Sequence, residues 1–260
     1  MSLTTACCNL PPVTSSYTKQ GQEITIPSNN VPTPTTPFHA YVAPLSVPTP
    51  HSAVIFIYDI FGFHPNAFQA ADRIANLTKE TLVIVPDYFL GKSMPEELLG
   101  DMSKLVAWIG ENGDYKKIIR ARIVDTVKYL KEQKSVKKVA FVGFCWGAKM
   151  AILAARDEEV NSLVEVKGVA QCHPSFPAED DYKGAHFPVA ILPSKDETDQ
   201  LESWYNTHLK ASQPKSLHRR FNDQSHGFCA ARGDWSDPKV AEAASEAFKI
   251  VATFFNEIDL

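Results

Sequence analysis

Cys145, Asp196 and His226 are the residues of this chain whose types and order could do acyl-transfer chemistry. Cys145 stands in Gly143-Phe144-Cys145-Trp146-Gly147, with a glycine two positions away on each side. Residues 139–142 just before it form a short apolar run with β-branched members, which predicts a buried strand. Residues 148–155 (AKMAILAA) are good helix material. Strand, tight turn and helix around G-x-Cys-x-G is the layout of a nucleophile elbow, with sulfur in place of a serine oxygen. The turn strains the backbone at Cys145, and a side chain at 143 or 147 would collide with the neighbouring strand or helix. The first turn of a helix also favours a thiolate through its positive dipole end. A lone cysteine beside a strand is more often a core residue, so the weight falls on its partners downstream.

A cysteine nucleophile needs a base, and the base needs an orienting group. Asp196 follows Cys145 in the chain and His226 follows Asp196. His226 would take the thiol proton, and Asp196 would accept the other ring N–H and fix the tautomer. A loop Asp is usually a turn former and a loop His is usually just exposed. Together they are in the order nucleophile, acid, base, each just after a predicted strand. An oxyanion would be stabilised by backbone N–H groups. Trp146, the residue after the nucleophile, supplies one by the elbow rule, and Ile60 in an earlier loop is the expected second.

The elements that must position these residues alternate regularly. Residues 23–26 and 40–43 are short strand candidates in a Pro-, Thr- and Ser-rich stretch, read as a cover over one sheet edge. Residues 53–58 (AVIFIY) form a continuous apolar run, as expected of a parallel strand buried on both faces. Further strands are predicted at 81–86, 164–172, 187–192 and 217–221. Helices are predicted from Pro65, over 93–113, from an N-cap at Asp114 to near Lys134, around 198–211 and over 238–257. Alternation of this kind implies an α/β fold, a mostly parallel central sheet flanked by helices on both faces. Ligands bind such sheets at the carboxyl ends of the strands, where Asp59, Cys145, His173, Asp196 and His226 all fall. Residues 1–20 are expected to be a flexible N-terminal segment and 21–260 a single domain.

Composition excludes several classes. The 260 residues are 44% hydrophobic and 22% charged with net charge −4, which argues against nucleic acid as a partner. No apolar stretch approaches membrane-spanning length, and no signal-peptide pattern opens the chain, so a cytoplasmic protein is expected. The five cysteines, Cys7, Cys8, Cys145, Cys172 and Cys229, have no framework spacing and read as free thiols. Cys7 and Cys8 could bind metal or carry a lipid, though two exposed thiols without a role are the commoner case. Cys172 and Cys229 read as packing thiols. No metal-ligand or nucleotide-phosphate motif is present.

DIFGF at 59–63, PD at 86–87, GFCWGA at 143–148, the Asp196 loop and SHGF at 225–228 resemble the dienelactone hydrolase family of the α/β-hydrolase fold, closest to its fungal and eukaryotic branch. The resemblance implies hydrolysis of a small ester or lactone through an acyl-thioester on Cys145, with no metal or organic cofactor. Bacterial members carry Glu where this chain has Asp59; in them it holds the resting thiol until substrate binds. Asp59 is one methylene shorter and either modulates the thiol or shapes its loop. An arginine follows the Pro-Asp pair in those members, where this chain has Lys92, a point charge rather than a fork. Arg232 is the nearest match to a second substrate-binding arginine. His173 either binds substrate or caps a strand end. The expected partner is a small-molecule ester or lactone, with the protein a monomer or homodimer. The alternatives are a carboxylesterase or thioesterase on a larger acyl group, or a non-catalytic ligand-binding or redox-sensing protein.

Overall fold

The computed structural model describes residues 10–28, 37–43, 50–78 and 81–260. Eight strands form one sheet in the order β1-β2-β4-β3-β5-β6-β7-β8. They are β1 (Gln22–Ile26), β2 (Phe38–Ala43), β3 (Ser52–Ile57), β4 (Thr81–Pro86), β5 (Lys138–Phe144), β6 (Glu165–Cys172), β7 (Val189–Leu192) and β8 (Leu217–His218). Pairing from β4 to β8 is parallel, while β1 and β2 run antiparallel at one edge. The early strands are thus part of the sheet rather than a cover over its edge. The three central strands β3, β4 and β5 are buried along almost their whole length, which explains their continuous apolar runs.

The helices are α1 (Pro65–Leu77), α2 (Met102–Asn112), α3 (Arg120–Lys134), α4 (Trp146–Ala155), α5 (Glu158–Leu163), α6 (Gln200–Trp204) and α7 (Pro238–Glu257). The connection from β3 to β4 moves toward the β1 edge, whereas β4 to β5 and each later connection move the other way. Right-handed crossovers running in opposite directions put their helices on opposite faces. Accordingly α1 packs with α7, and α3, α4 and α5 pack together. The reversal falls at β3, so the loops after β3 and β5 flank the crevice where such sheets take ligands. Asp114 accepts from the Lys117 amide and starts a π-helical turn, Tyr115–Ile119, before α3, so the helix expected from 114 is continuous but changes pitch.

The elbow is decided by close backbone approach. Cys145 sits at φ 55°, ψ −119°, outside the regions a non-glycine residue prefers. A Cβ on Gly143 would lie 2.2 Å from the Gly147 carbonyl oxygen, and one on Gly147 would lie 2.3 Å from the carbonyl oxygens of Ile57 and Tyr58. These glycines let α4 start directly against β3 and β5. Eight of the ten α4 residues are buried, the pattern of a helix inside a core rather than on its surface. Among the described residues no helix is long and apolar enough to cross a membrane.

Replacing Gly147 by alanine should therefore cost about 3 kcal/mol or more of stability, at or beyond the upper end for overpacking a core. Urea unfolding checks this, and a loss below about 1 kcal/mol would mean that α4 can move off β3.

Candidate active site

Cys145, between β5 and α4, is 3% exposed. Its amide donates to the Cys172 carbonyl at the end of β6 (3.1 Å), and its own carbonyl accepts from Ser175 N–H (3.0 Å). Its sulfur lies 3.3 Å from the Ser175 hydroxyl. The 172–176 loop therefore grips the elbow from the neighbouring strand. The His173 amide donates to Leu192 O, which ties the same loop onward to β7. Trp146 opens α4, so its N–H is among the first-turn donors that a helix cannot bond internally. Its indole donates to Gly113 O (3.2 Å) and its ring lies 4.9 Å from Phe89, which anchors the start of the helix.

His226 lies on the loop after β8, with a buried ring. Nδ1–H donates to Glu197 Oε1 at 2.6 Å, and both side chains are 1% exposed. This hydrogen bond makes Nε2 the basic nitrogen of the neutral ring. The second Glu197 oxygen accepts from Ser194 N–H. The carboxylate at the imidazole is thus Glu197 and not the expected Asp196. Asp196 accepts from the backbone N–H of His226 (2.8 Å) and so holds the loop rather than the ring. The two acids are consecutive in one turn, and the longer side chain is the one that reaches the ring. Arg220, which the sequence did not single out, fastens that turn by donating to the carbonyls of Ser194, Glu197 and Thr198.

The His173 ring is fully buried, at 4.8 Å and near a right angle to His226, with Phe144 and Phe228 also against it. The Glu197–His226 pair with His173 against it, and the Ser175–Cys145 pair, thus all lie at the carboxyl ends of β5 to β8. Ile60 is buried in the loop after β3, and its carbonyl accepts from Met94 N–H.

Asp59 shares the β3 loop with Ile60. One oxygen accepts from Phe61 N–H (2.9 Å) and the other from Ala231 N–H (3.1 Å), so this carboxylate stitches the β3 loop to the loop after His226. Burial pushes its pKa above the ordinary aspartate value, against the pull of those two amides and of Arg232 and His64. Of the alternatives for Asp59, loop shaping is the one these bonds carry. Arg232 donates to Leu10 O (2.6 Å) and stacks on Phe61, 5.1 Å from the ring centroid. Lys92 is exposed on the loop after β4. Val13 donates to Ala231 O, and its carbonyl accepts from His64, so the described part of the N-terminal segment is laced to the His226 loop. Cys7 and Cys8 lie outside the described residues. Cys172 and Cys229 are buried free thiols, and burial raises the Cys229 pKa well above the usual thiol range. Among the described residues no three His, Cys, Asp or Glu side chains gather as a metal site.

The model of the dienelactone hydrolase family matches residues 38–259. The chain belongs to that family. A dienelactone hydrolase fold also agrees with the solved structures that it resembles. A dienelactone hydrolase-like promiscuous phosphotriesterase from metagenomic libraries superposes with a TM-score of 0.64 at 18% identity, covering 92% of this chain and 99% of the other. An esterase of the archaeon Pyrobaculum calidifontis gives 0.61 at 16% identity, over 92% and 83%. Among curated relatives, an uncharacterized AIM2 family protein of Schizosaccharomyces pombe is 29% identical over 218 residues, 79% of this chain and 82% of that one. A carboxymethylenebutenolidase homolog of Xenopus tropicalis is 29% identical over 242 residues, 90% and 89% of the two chains.

Asp59→Ala should leave two buried amides without their acceptor and cost about 1–3 kcal/mol for each that stays dry. A carboxyl that holds its proton more tightly folded than unfolded contributes most in acid, and that contribution falls as pH rises through the window above the ordinary aspartate pKa. The wild-type advantage over Asp59→Ala should therefore be larger at about pH 4 than at about pH 7 in urea unfolding. An advantage that grows with pH would reverse the sign assigned to Asp59.

Proposed function

We propose that the protein is a cysteine-dependent hydrolase of small carboxylic esters or lactones. The observation that carries this reading is the buried Nδ1–H···Oε1 hydrogen bond of 2.6 Å between His226 and Glu197. It orients an imidazole as a base at the same sheet edge as a cysteine held in an elbow. Neither a packing cysteine nor a surface histidine needs that arrangement.

Acylation needs the Cys145 proton on His226 Nε2. The sulfur attacks the substrate carbonyl carbon, and the oxyanion is met by the backbone N–H groups of Trp146 and Ile60. The Nε2 proton passes to the leaving alkoxide as the carbon–oxygen bond breaks, leaving an acyl-thioester. In deacylation His226 takes a proton from water, hydroxide adds to the thioester, and the thiolate leaves and is reprotonated. Glu197 stabilises the imidazolium in both halves. Asp196 keeps the loop under His226 in place, and His173 backs the ring. Lys92, exposed beside the crevice, offers a point charge to a substrate that carries a carboxylate.

Cys145→Ala should lower turnover of a small activated ester by about 1,000-fold or more. Intact-mass measurement should find an acyl adduct on the wild type and none on the variant. Equal turnover by both would end the assignment. Glu197→Gln should lower kcat by about 100-fold or more, because an amide no longer stabilises the imidazolium. Asp196→Asn keeps an oxygen for the His226 amide and should cost less than about tenfold. Steady-state kinetics on the two variants discriminates, and the reverse ranking would return the orienting role to Asp196.

A further inference from the structure

Ser175 follows Cys172-His173-Pro174 on the loop after β6 and is 3% exposed. It meets the elbow twice, since its amide donates to Cys145 O (3.0 Å) and its hydroxyl lies 3.3 Å from the Cys145 sulfur. Its neighbours show that this approach is imposed. His173 has φ 37° and Phe176 has φ 55°, both in the left-handed region that non-glycine residues avoid. Two such residues in one short loop cost of order 1–3 kcal/mol each and persist only where the surroundings force them. Meanwhile one oxygen of Asp59 accepts the Phe61 amide of its own loop and the other accepts the Ala231 amide.

A hydroxyl and a carboxylate would treat this sulfur differently. A carboxylate accepts from a thiol and repels a thiolate, so it must move away before the sulfur ionises. A hydroxyl turns to suit its partner and donates to the thiolate, which favours the charged form. We propose that the Ser175 hydroxyl is the donor that holds the Cys145 sulfur as a thiolate while His226 carries its proton. The proton leaves Sγ for His226 Nε2, and the sulfur electron pair it leaves behind accepts the Ser175 O–H. When that pair forms the bond to the acyl carbon, the hydroxyl is released from it. Nothing need be displaced first, so the resting enzyme is reactive before any substrate arrives. The assignment rests on Cys145 being the nucleophile.

Alkylation by iodoacetamide, read at Cys145 by peptide mass across a pH series, tests it without turnover. Wild type should react readily with no substrate present. In Ser175→Ala the pH midpoint should rise by about one unit, with alkylation about tenfold slower near neutrality, the effect of losing one hydrogen bond to a charged group. Ser175→Thr keeps the hydroxyl and should restore the midpoint. Ser175→Gly replaces the alanine variant if circular dichroism finds that one unfolded. An unchanged midpoint in the folded hydroxyl-free variant, or a threonine variant no better than it, overturns the role of Ser175 while leaving the nucleophile intact. Full turnover by Cys145→Ala overturns both.

Discussion

Gly147 lies so close to the carbonyls of Ile57 and Tyr58 that α4 starts against β3 with no room for a side chain between them. That contact fixes the tilt of the helix, and the helix fixes the turn before it. Cys145 is thereby driven to positive φ. The strain costs about 1–3 kcal/mol and is offset by burying almost all of α4. Gly143 serves the same junction from the other side, where a Cβ would strike Gly147 itself.

The loops around the elbow are held by buried carboxylates and by backbone, with little help from surface ion pairs. Asp59 ties the β3 loop to the loop after His226. Asp196 and Glu197, adjacent in sequence, divide two tasks between them, one taking the backbone of His226 and the other its ring. Arg220 closes the turn that carries both. A buried acceptor is costly to leave unpaired, so each of these bonds confines its loop more strictly than an exposed pair could. The residues of the proposed mechanism are therefore placed by the core and its edges together, which suits chemistry that tolerates little misplacement.

Much of this was legible in the residues. The apolar runs at 53–58 and 81–86 and the glycines flanking Cys145 have one physical explanation each, and β3, β4 and the elbow appear where those patterns put them. The β8 strand is shorter than the run at 217–221, because Phe221 meets Ser194 only through an isolated bridge. Glu197 was missed for a geometric reason. Two neighbouring acids on one turn point in different directions, and no periodicity reveals which reaches a histidine about 30 residues away. Arg220 was invisible because its partners are carbonyls, which every residue carries. Ser175 stands two residues past His173, but its approach to sulfur depends on two left-handed residues, His173 and Phe176, and a bulky aromatic such as Phe176 gives no hint of positive φ.

The most direct measurement is a crystal structure of the wild-type protein soaked with a small activated ester whose bulky acyl group deacylates slowly and freeze-trapped before turnover, which retains both the elbow and the base that acylation needs. Density for the acyl carbon continuous with Cys145 Sγ, with its carbonyl oxygen within hydrogen-bonding distance of the Trp146 and Ile60 amides, is the expected result. An acyl group on any other side chain, or on Cys145 with its oxygen turned away from those two amides, would contradict the mechanism built on this elbow.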